Sequence, residues 1–261
     1  MTSALIINTH NQPDYLSRVL QATSRQSQPP DEVLLADDGS TEETRRLFEA
    51  WAGTQKFKAH HVWQKAEGFR RSRILNLAIA AARADYLVFL DGDTVPHQDF
   101  IADHRAAAQP RFFVQGHRAL IEKKAAAWFG RNSFACDRRR AVFQNQISGL
   151  KNAFRWPFAV RKIKHHLRGV RGCNLAIWRA DLLRVNGYNE DFTGWGREDS
   201  ELAARLLNAG VQRMDLRGRA LCFHLWHPPA SRAHLPANDG LLEKTLREKT
   251  ARCEHGLSRH L

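Results

Sequence analysis

The stretch YLVFLDGD, Tyr86–Asp93, decides how this chain folds. A strand with one wet face alternates apolar and polar side chains, so the unbroken run Tyr86–Leu90 reads as a strand buried on both faces. It ends abruptly in two aspartates around a glycine. Weaker versions of the same signal precede it: a short apolar run at Ala4–Asn8, Val33, Leu34 and Leu35 within Glu32–Asp37, and a third strand at His60–Gln64. Helical patterns lie between them. Asp14–Arg25 opens behind Pro13, which suits a first helical turn. Glu42–Trp51 follows a DDGST turn whose Ser40 or Thr41 can cap it. Ser72–Arg83 carries Ile74, Leu75, Leu77, Ala78 and Ala81 on one stripe. Strands alternating with helices predict an α/β fold, a doubly wound and mostly parallel central sheet with helices on both faces. Such sheets bind ligands beyond the carboxyl ends of their strands, where Asp37, Asp38, Asp91 and Asp93 all fall.

The rest of the chain divides by charge. The formal net charge is +13. Arg111–Arg171 holds fifteen Lys or Arg against Glu122 and Asp137, a surplus of +13, so the other residues balance at 25 basic and 25 acidic. This basic segment interleaves aromatics with arginine and lysine in WFGRNSFACDRRRAVF and FRWPFAVRKIKHHL. Its pattern is partly helical, with breaks at Gly130, Gly149 and Pro157. A globular pattern returns at Gly172: CNLAIW as strand, Arg179–Val185 as helix, GYNEDFTGWGREDSEL leading into a helix through Ala209, and a short strand at Arg219–Phe223. A charged amphipathic helix follows over Asp239–His255. The expected organisation is 1–110, a basic helical insertion at 111–171, 172–238, and a C-terminal helical tail at 239–261.

With 261 residues, 43% hydrophobic and 26% charged, the chain has the makings of an ordinary globular core. No apolar run approaches the roughly 20 residues needed to span a bilayer. The N-terminus lacks the basic-then-apolar order of a secretory signal. Cys136, Cys173, Cys222 and Cys253 are far apart without metal-type pairing, so they read as reduced thiols of a cytoplasmic protein.

Five constellations could carry chemistry. Asp91 and Asp93 at a strand end can hold a hard divalent ion that bridges phosphate oxygens, although a bare DxD is also a common polar turn. Asp37-Asp38-Gly39-Ser40 is a strand-to-helix turn whose carboxylate could accept an imide N–H. In FRRSRILN, Phe69–Asn76, three arginines open a helix and oppose its dipole; either an anionic ligand reverses that penalty or the residues are simply solvated. His224 and His227 in HLWH could ligate a metal, neutral imidazole suiting Mn better than Mg or Ca, or could merely pack. In GWGREDSEL, Gly194–Leu202, a glycine-flanked tryptophan precedes Glu198 and Asp199, which are either helix-starting charges or catalytic acids. No P-loop, Rossmann glycine fingerprint or G-x-S-x-G motif appears, which argues against kinase, dehydrogenase and hydrolase.

Taken in order, NTHNQPDYL, LLADDGSTEET, FRRSRILNLAI, YLVFLDGDTVPHQDFI and NGYNEDFTGWGREDSEL resemble the family-2 glycosyltransferases of the GT-A fold. The last resembles the GWGGED region of the beta-1,4-galactosyltransferases. The resemblance covers about 4–105 and 172–230, with no assignable counterpart for the basic segment. It makes 1–110 the nucleotide-sugar half and 172–238 the acceptor-binding and catalytic half. It further implies that Asp38 contacts the uracil of a UDP-sugar, Phe69 and Arg71 hold the nucleotide and diphosphate, and Asp93 ligates Mn2+ or Mg2+ with Asp91 beside it. His227 matches the family's metal-binding histidine, and His224 stands where the galactosyltransferases have methionine. Trp195 corresponds to the loop tryptophan that moves over the donor, Asp199 to the base and Glu198 to an acceptor contact. Arg197 replaces a glycine, a departure that the sequence does not explain.

The expected activity is inverting, metal-dependent transfer of a sugar from a nucleotide sugar to a glycan or glycolipid acceptor such as lipopolysaccharide. The charge of 111–171 points to an anionic membrane surface, with Trp128, Phe129, Phe154, Trp156 and Phe158 entering the interface of a cytoplasmic inner-membrane face. A solvated insertion or an oligomer interface would produce the same composition. A nucleic-acid-binding protein would also explain that segment, but not the strand-end aspartates or GWGRED. No nucleic-acid partner is therefore expected. A nucleotidyltransferase should carry a glycine-rich loop with a lysine where this chain has NTHNQPDYL.

Overall fold

A computed structural model describes residues 1–156 and 158–261. Its first hundred residues alternate as the sequence predicts: β1 (Ser3–Thr9), α1 (Pro13–Ser24), β2 (Glu32–Asp37), α2 (Glu42–Ala52), β3 (Lys58–Trp63), α3 (Arg71–Ala81) and β4 (Tyr86–Asp91). There follow β5 (Thr94–Pro96), α4 (Phe100–Ala107), β6 (Phe112–Gln115), β7 (Arg118–Ile121), α5 (Lys123–Ala126), α6 (Phe134–Phe143), β8 (Ile147–Ser148) and β9 (Val160–Lys164). The last part contains β10 (Leu175–Trp178), α7 (Arg179–Val185), α8 (Glu198–Asn208), β11 (Gln212–Arg217), β12 (Cys222–Leu225) and α9 (Leu235–Glu248).

An eight-stranded sheet runs β3-β2-β1-β4-β10-β6-β11-β9, beside a four-stranded sheet β5-β12-β7-β8. The β2–β3, β1–β2, β1–β4 and β6–β11 pairings are parallel. Antiparallel β10 joins the two parallel groups, pairing with β4 on one side and β6 on the other. Side chains alternate across a strand, so each central strand feeds two cores. Leu5, Ile7, Val33, Leu35, Val88 and Leu90 pack with Leu16, Val19 and Phe48 of α1 and α2. Ala4, Ile6, Leu34, Leu87 and Phe89 pack on the opposite face with Ile74 and Ile79 of α3 and Leu202 and Leu206 of α8. Helices thus cover both faces of the sheet.

Register then sets the site. Asn8 lies opposite Asp91 and Thr9 opposite Asp37, which brings the carboxyl ends of β1, β2 and β4 to one edge. The two catalytic-type segments, from β4 and from α8, converge there because β10 returns the chain alongside β4 before α8 begins.

Several details depart from the sequence reading. The basic segment is helical over α5 and α6, but it also supplies β6 and β9 to the large sheet and β7 and β8 to the small one. These strands have two to five residues, too short for alternation to stand out, and β9 (VRKIK) hides its pattern under surface charge. Phe129 cannot enter a membrane interface: it is fully buried and stacks on Phe223 at 5.4 Å. Trp128 is half-buried beneath Arg140, whose guanidinium lies 4.2 Å from its ring centre. Trp156 is also half-buried, whereas Phe154 and Phe158 are exposed. Pro157, expected to interrupt a helix, lies outside the described residues. Neither Ser40 nor Thr41 caps α2 with its side chain. Instead Asn11 Oδ1 accepts the Thr41 N–H at 2.9 Å and Asp37 Oδ1 accepts the Ser40 N–H at 2.8 Å. β11 was not foreseen, and the tail helix begins at Leu235 rather than Asp239.

Candidate active site

At the carboxyl edge of the large sheet lies a cleft of about 750 Å³, lined by residues of β1, β4, α3, α8 and the loops after Val170 and β12. The sheet delivers Asp91 and Asp93. Gly92 sits so close to β1 that a Cβ there would meet Thr9 Oγ1 at 2.9 Å. This tight turn projects Asp93 toward β12, where its Oδ2 lies 3.1 Å from His227 Nε2 and its Oδ1 3.6 Å from His224 Nε2. One ligand atom from each of the three residues falls within 4.8 Å of the others.

The protonation chemistry of this trio suits a divalent cation. Burial pushes the His224 imidazole down to about 4, so it is neutral and has a lone pair to offer. The hydrogen bond to Asp93 raises His227, with burial acting against it. His227 Nδ1 lies 2.7 Å from the Pro228 carbonyl oxygen, which can only accept, so Nδ1 carries a proton. Nε2 then faces the Asp93 carboxylate either protonated or with a cation between them. Although burial raises Asp93, its contacts with His227 and His224 hold it below the usual carboxylate range. A carboxylate with two imidazoles is a donor set for Mn2+ or a similar ion.

The second half of the site is built around Arg71, at the first turn of α3. Its Nη1 lies 2.9 Å from Asp199 Oδ1 and 3.4 Å from Glu198 Oε1, and its Nη2 lies 3.4 Å from Asp91 Oδ1. Arg71 at this helix start thus finds protein anions that offset the dipole. Arg70 likewise pairs with Glu67 at 2.6 Å. Asp199 is fixed from the other side, since the Gly172 N–H donates to its Oδ2 at 2.7 Å. A Cβ on Gly172 would fall 2.2 Å from Arg71 Nη2 and 2.5 Å from Asp199 Oδ1, so only glycine fits this approach. Tyr188 OH reaches Asp199 Oδ1 at 3.4 Å.

One guanidinium cannot fully neutralise three enclosed carboxylates. Burial, opposed by Arg71 and aided by the charges of Asp93 and Asp199, raises Asp91 to about 6. Burial, then the Asp199 charge, raises Glu198 to about 7.

The Gly194–Arg197 loop is tethered. Gly194 and Gly196 have positive φ of 68° and 110°, and so does Arg197, at 76°. Buried Asn238 of α9 donates to the carbonyls of Thr193 and Gly196 at 3.1 and 2.9 Å. Arg197 pairs with Asp239 on the same helix at 2.5 Å. An arginine here is therefore the loop's anchor to α9, held in a conformation that a glycine would adopt more easily. Trp195 is exposed on the cleft wall, with the Arg232 guanidinium 5.8 Å from its ring centre.

The structure thus brings Phe69, Arg71, Asp91, Asp93, Trp195, Glu198, Asp199, His224 and His227 to one cleft. Asp38 lies just outside its lining. Both its oxygens are engaged, Oδ1 by the Gln64 amide at 2.5 Å and Oδ2 by the Arg70 N–H at 2.9 Å. Gly172, Tyr188, Arg118 and Arg171 were not singled out from the sequence. Tyr188 lies in the stretch NGYNEDFTGWGREDSEL without a signal of its own, and the others belong to no local motif; tertiary packing brings them in.

A doubly wound sheet with acids and imidazoles at its carboxyl edge defines a ligand-binding α/β class. The family model for glycosyl transferase family 2 matches residues 4–181, and the model described as the N-terminal domain of galactosyltransferase matches 146–227. The chain belongs to glycosyl transferase family 2. It is similar to validoxylamine A glucosyltransferase of Streptomyces hygroscopicus subsp. limoneus, 28% identical over 80% of this chain and 48% of that protein. It is also similar to chondroitin synthase of Escherichia coli, 25% identical over 85% of this chain and 34% of that protein. The chain therefore spans about half or less of these relatives' lengths. Among solved structures, S. aureus TarS 1–349 in complex with UDP aligns over 100% of this chain and 68% of its own, with TM-score 0.65 and 13% identity. The mannosyltransferase PcManGT from Pyrobaculum calidifontis, in complex with GDP-Man and Mn2+, aligns over 94% and 69%, with TM-score 0.57 and 20% identity. These two show the shared GT-A fold.

The raised Glu198 carboxyl has a measurable signature. Its folded pKa lies above the ordinary 4.5, so its stabilising protonation is fully present below that value and is lost as pH rises through about 7. Glu198→Gln keeps the shape without the titration. Its melting temperature relative to the parent should be higher at pH 8 than at pH 5 by roughly 3–6 °C. The same difference at both pH values would show that Glu198 titrates normally.

Proposed function

We propose that the protein is an inverting, metal-dependent glycosyltransferase that moves a sugar from a UDP-sugar to a hydroxyl of a glycan or glycolipid acceptor. The observation that carries this reading is the placement of Asp199, clamped between Arg71 and the Gly172 N–H, on the same cleft as the Asp93–His224–His227 trio. Relatives and structural neighbours that include a UDP complex support it.

Asp93, His224 and His227 would hold the divalent ion, which supplies positive charge to the leaving diphosphate. Asp199 accepts the proton of the attacking hydroxyl while that oxygen bonds to the anomeric carbon and the bond to the diphosphate breaks. One base suffices, because the leaving group departs as an anion and needs no proton from the protein. Arg71 is closed in by carboxylates, so it acts mainly to position Asp199. Glu198, whose Oε2 accepts the Gly196 N–H at 3.1 Å, ties the loop to α8 and leaves its acidic end beside the acceptor hydroxyl. Phe69 and Trp195, both exposed on the cleft, would cover the nucleotide and sugar, with loop movement at Gly194 and Gly196 excluding water. Asp38 would reach the uracil after exchanging its Gln64 partner for the base.

For localisation, we propose a peripheral protein on the cytoplasmic face of an inner membrane, acting on lipopolysaccharide or a similar glycolipid. No helix among the described residues is long and apolar enough to cross a membrane. Phe143 and Phe158 are 93% and 82% exposed within the basic segment, near Arg139, Arg140, Arg161 and Lys162 in sequence. Exposed rings among cations suit an anionic interface.

Thermal-shift titration with UDP- and GDP-sugars in Mn2+ tests the chemistry. UDP should stabilise the parent and Asp199→Asn alike, with transfer reduced at least about 10³-fold in the latter. Asp93→Ala should lose both. No stabilisation of the parent by any nucleotide, or near-normal turnover by Asp199→Asn, would refute the assignment. For the membrane, flotation with anionic but not neutral vesicles is expected, and removed by Phe158→Ser with Phe143→Ser; equal recovery from both lipids would overturn it.

A further inference from the structure

We propose that the acceptor saccharide carries an anionic group, a carboxylate or a phosphate, and that Arg171 and Arg232 bind it beside Asp199. The proposal rests on the transferase reading above and narrows its acceptor.

Five arginines line the cleft, and they are not alike. Arg71 is matched by Asp91, Glu198 and Asp199, and Arg197 by Asp239. Arg118 donates to the Cys173 sulfur at 3.2 Å and lies within the field of Asp91. Arg171 and Arg232 are exposed and have no ion pair among the described residues. A solvated surface arginine would need no explanation, but Arg171 stands on fixed backbone. Gln115, 1% exposed, accepts the Arg171 N–H at 3.0 Å and donates to the Arg171 carbonyl at 3.2 Å. The next residue is Gly172, whose N–H holds Asp199. Arg171 is thus one residue from the clamp on the base, where the accepting hydroxyl must arrive. Arg232 lies over Trp195, on the loop that leads into Glu198 and Asp199.

An unmatched guanidinium in a concave site raises the local concentration of anions, and its planar fork fits carboxylate or phosphate through two parallel hydrogen bonds. The donor diphosphate is the rival ligand for Arg171, whose charge also bears on His224. Arg232 lies against Trp195, which is placed over the sugars of the cleft, so it faces the saccharides.

Calorimetric titration of the protein loaded with Mn2+ and UDP separates these possibilities. The probes are a glucuronic-acid-terminated disaccharide with its carboxyl-reduced counterpart, and a phosphorylated disaccharide with its dephosphorylated counterpart. At least one anionic probe should bind about tenfold more tightly than its neutral partner, and which one does so identifies the group. Arg171→Gln and Arg232→Gln should each erase most of that preference while UDP affinity stays within about twofold. Equal binding, or no binding, of charged and neutral probes would overturn the proposal. So would a tenfold loss of UDP affinity in Arg171→Gln, which would make Arg171 a diphosphate ligand. Failure of the parent to bind UDP at all would remove the transferase reading itself, a result visible before any saccharide is added.

Discussion

The site depends on one buried guanidinium. Arg71 is only 7% exposed, and a charge so enclosed must be met by opposite charge and hydrogen bonds. It finds them in Asp91 from the N-terminal half and in Glu198 and Asp199 from α8. This ion cluster links the strand that ends at Asp91 to the helix that begins with Glu198 and Asp199. It also explains why three acids can lie together, and why two of them, Asp91 and Glu198, bind protons more readily than free carboxyls.

Around that cluster each neighbour has a definable task. Gly172 gives room for Arg71 and Asp199 to meet and turns its own N–H onto the carboxylate. The first turn of α8 favours negative charge, which steadies Glu198 and Asp199 where they stand. Arg197 pins the loop before them to α9 through Asp239, and Asn238 secures the two flanking carbonyls. The α9 helix therefore bears directly on the loop that carries Trp195. The basic segment contributes by another route. Its β7 strand brings Arg118 to the cleft, and Gln115 at the end of β6 holds the Arg171 backbone, while its exposed phenylalanines remain on the outside.

Legibility in the sequence followed element length and locality. The alternation to Asp91, the two helix-covered faces and the helix Arg179–Val185 were readable because long periodic segments carry their burial in their pattern. Asp93, His224, His227, Glu198 and Asp199 were readable because motifs in a fixed order imply a shared edge. The short strands were not, since two to six residues are too few to show a clear period. Arg71 was expected on a diphosphate, and the sequence had no means of showing the three carboxylates that enclose it. Phe129 in an aromatic-basic run looked the same as Phe158, and only the packing against Phe223 separates them. Arg197 became intelligible once Asp239, more than forty residues away, was seen beside it.

As a single clamped base, Asp199 is proposed to direct attack from the face opposite the departing diphosphate. The most direct measurement is proton NMR of the sugar first released when the protein hydrolyses an α-linked UDP-sugar in Mn2+, since water then takes the acceptor's place. The account predicts that the β-anomer appears first and equilibrates later. First appearance of the α-anomer would mean retention of configuration and would contradict it.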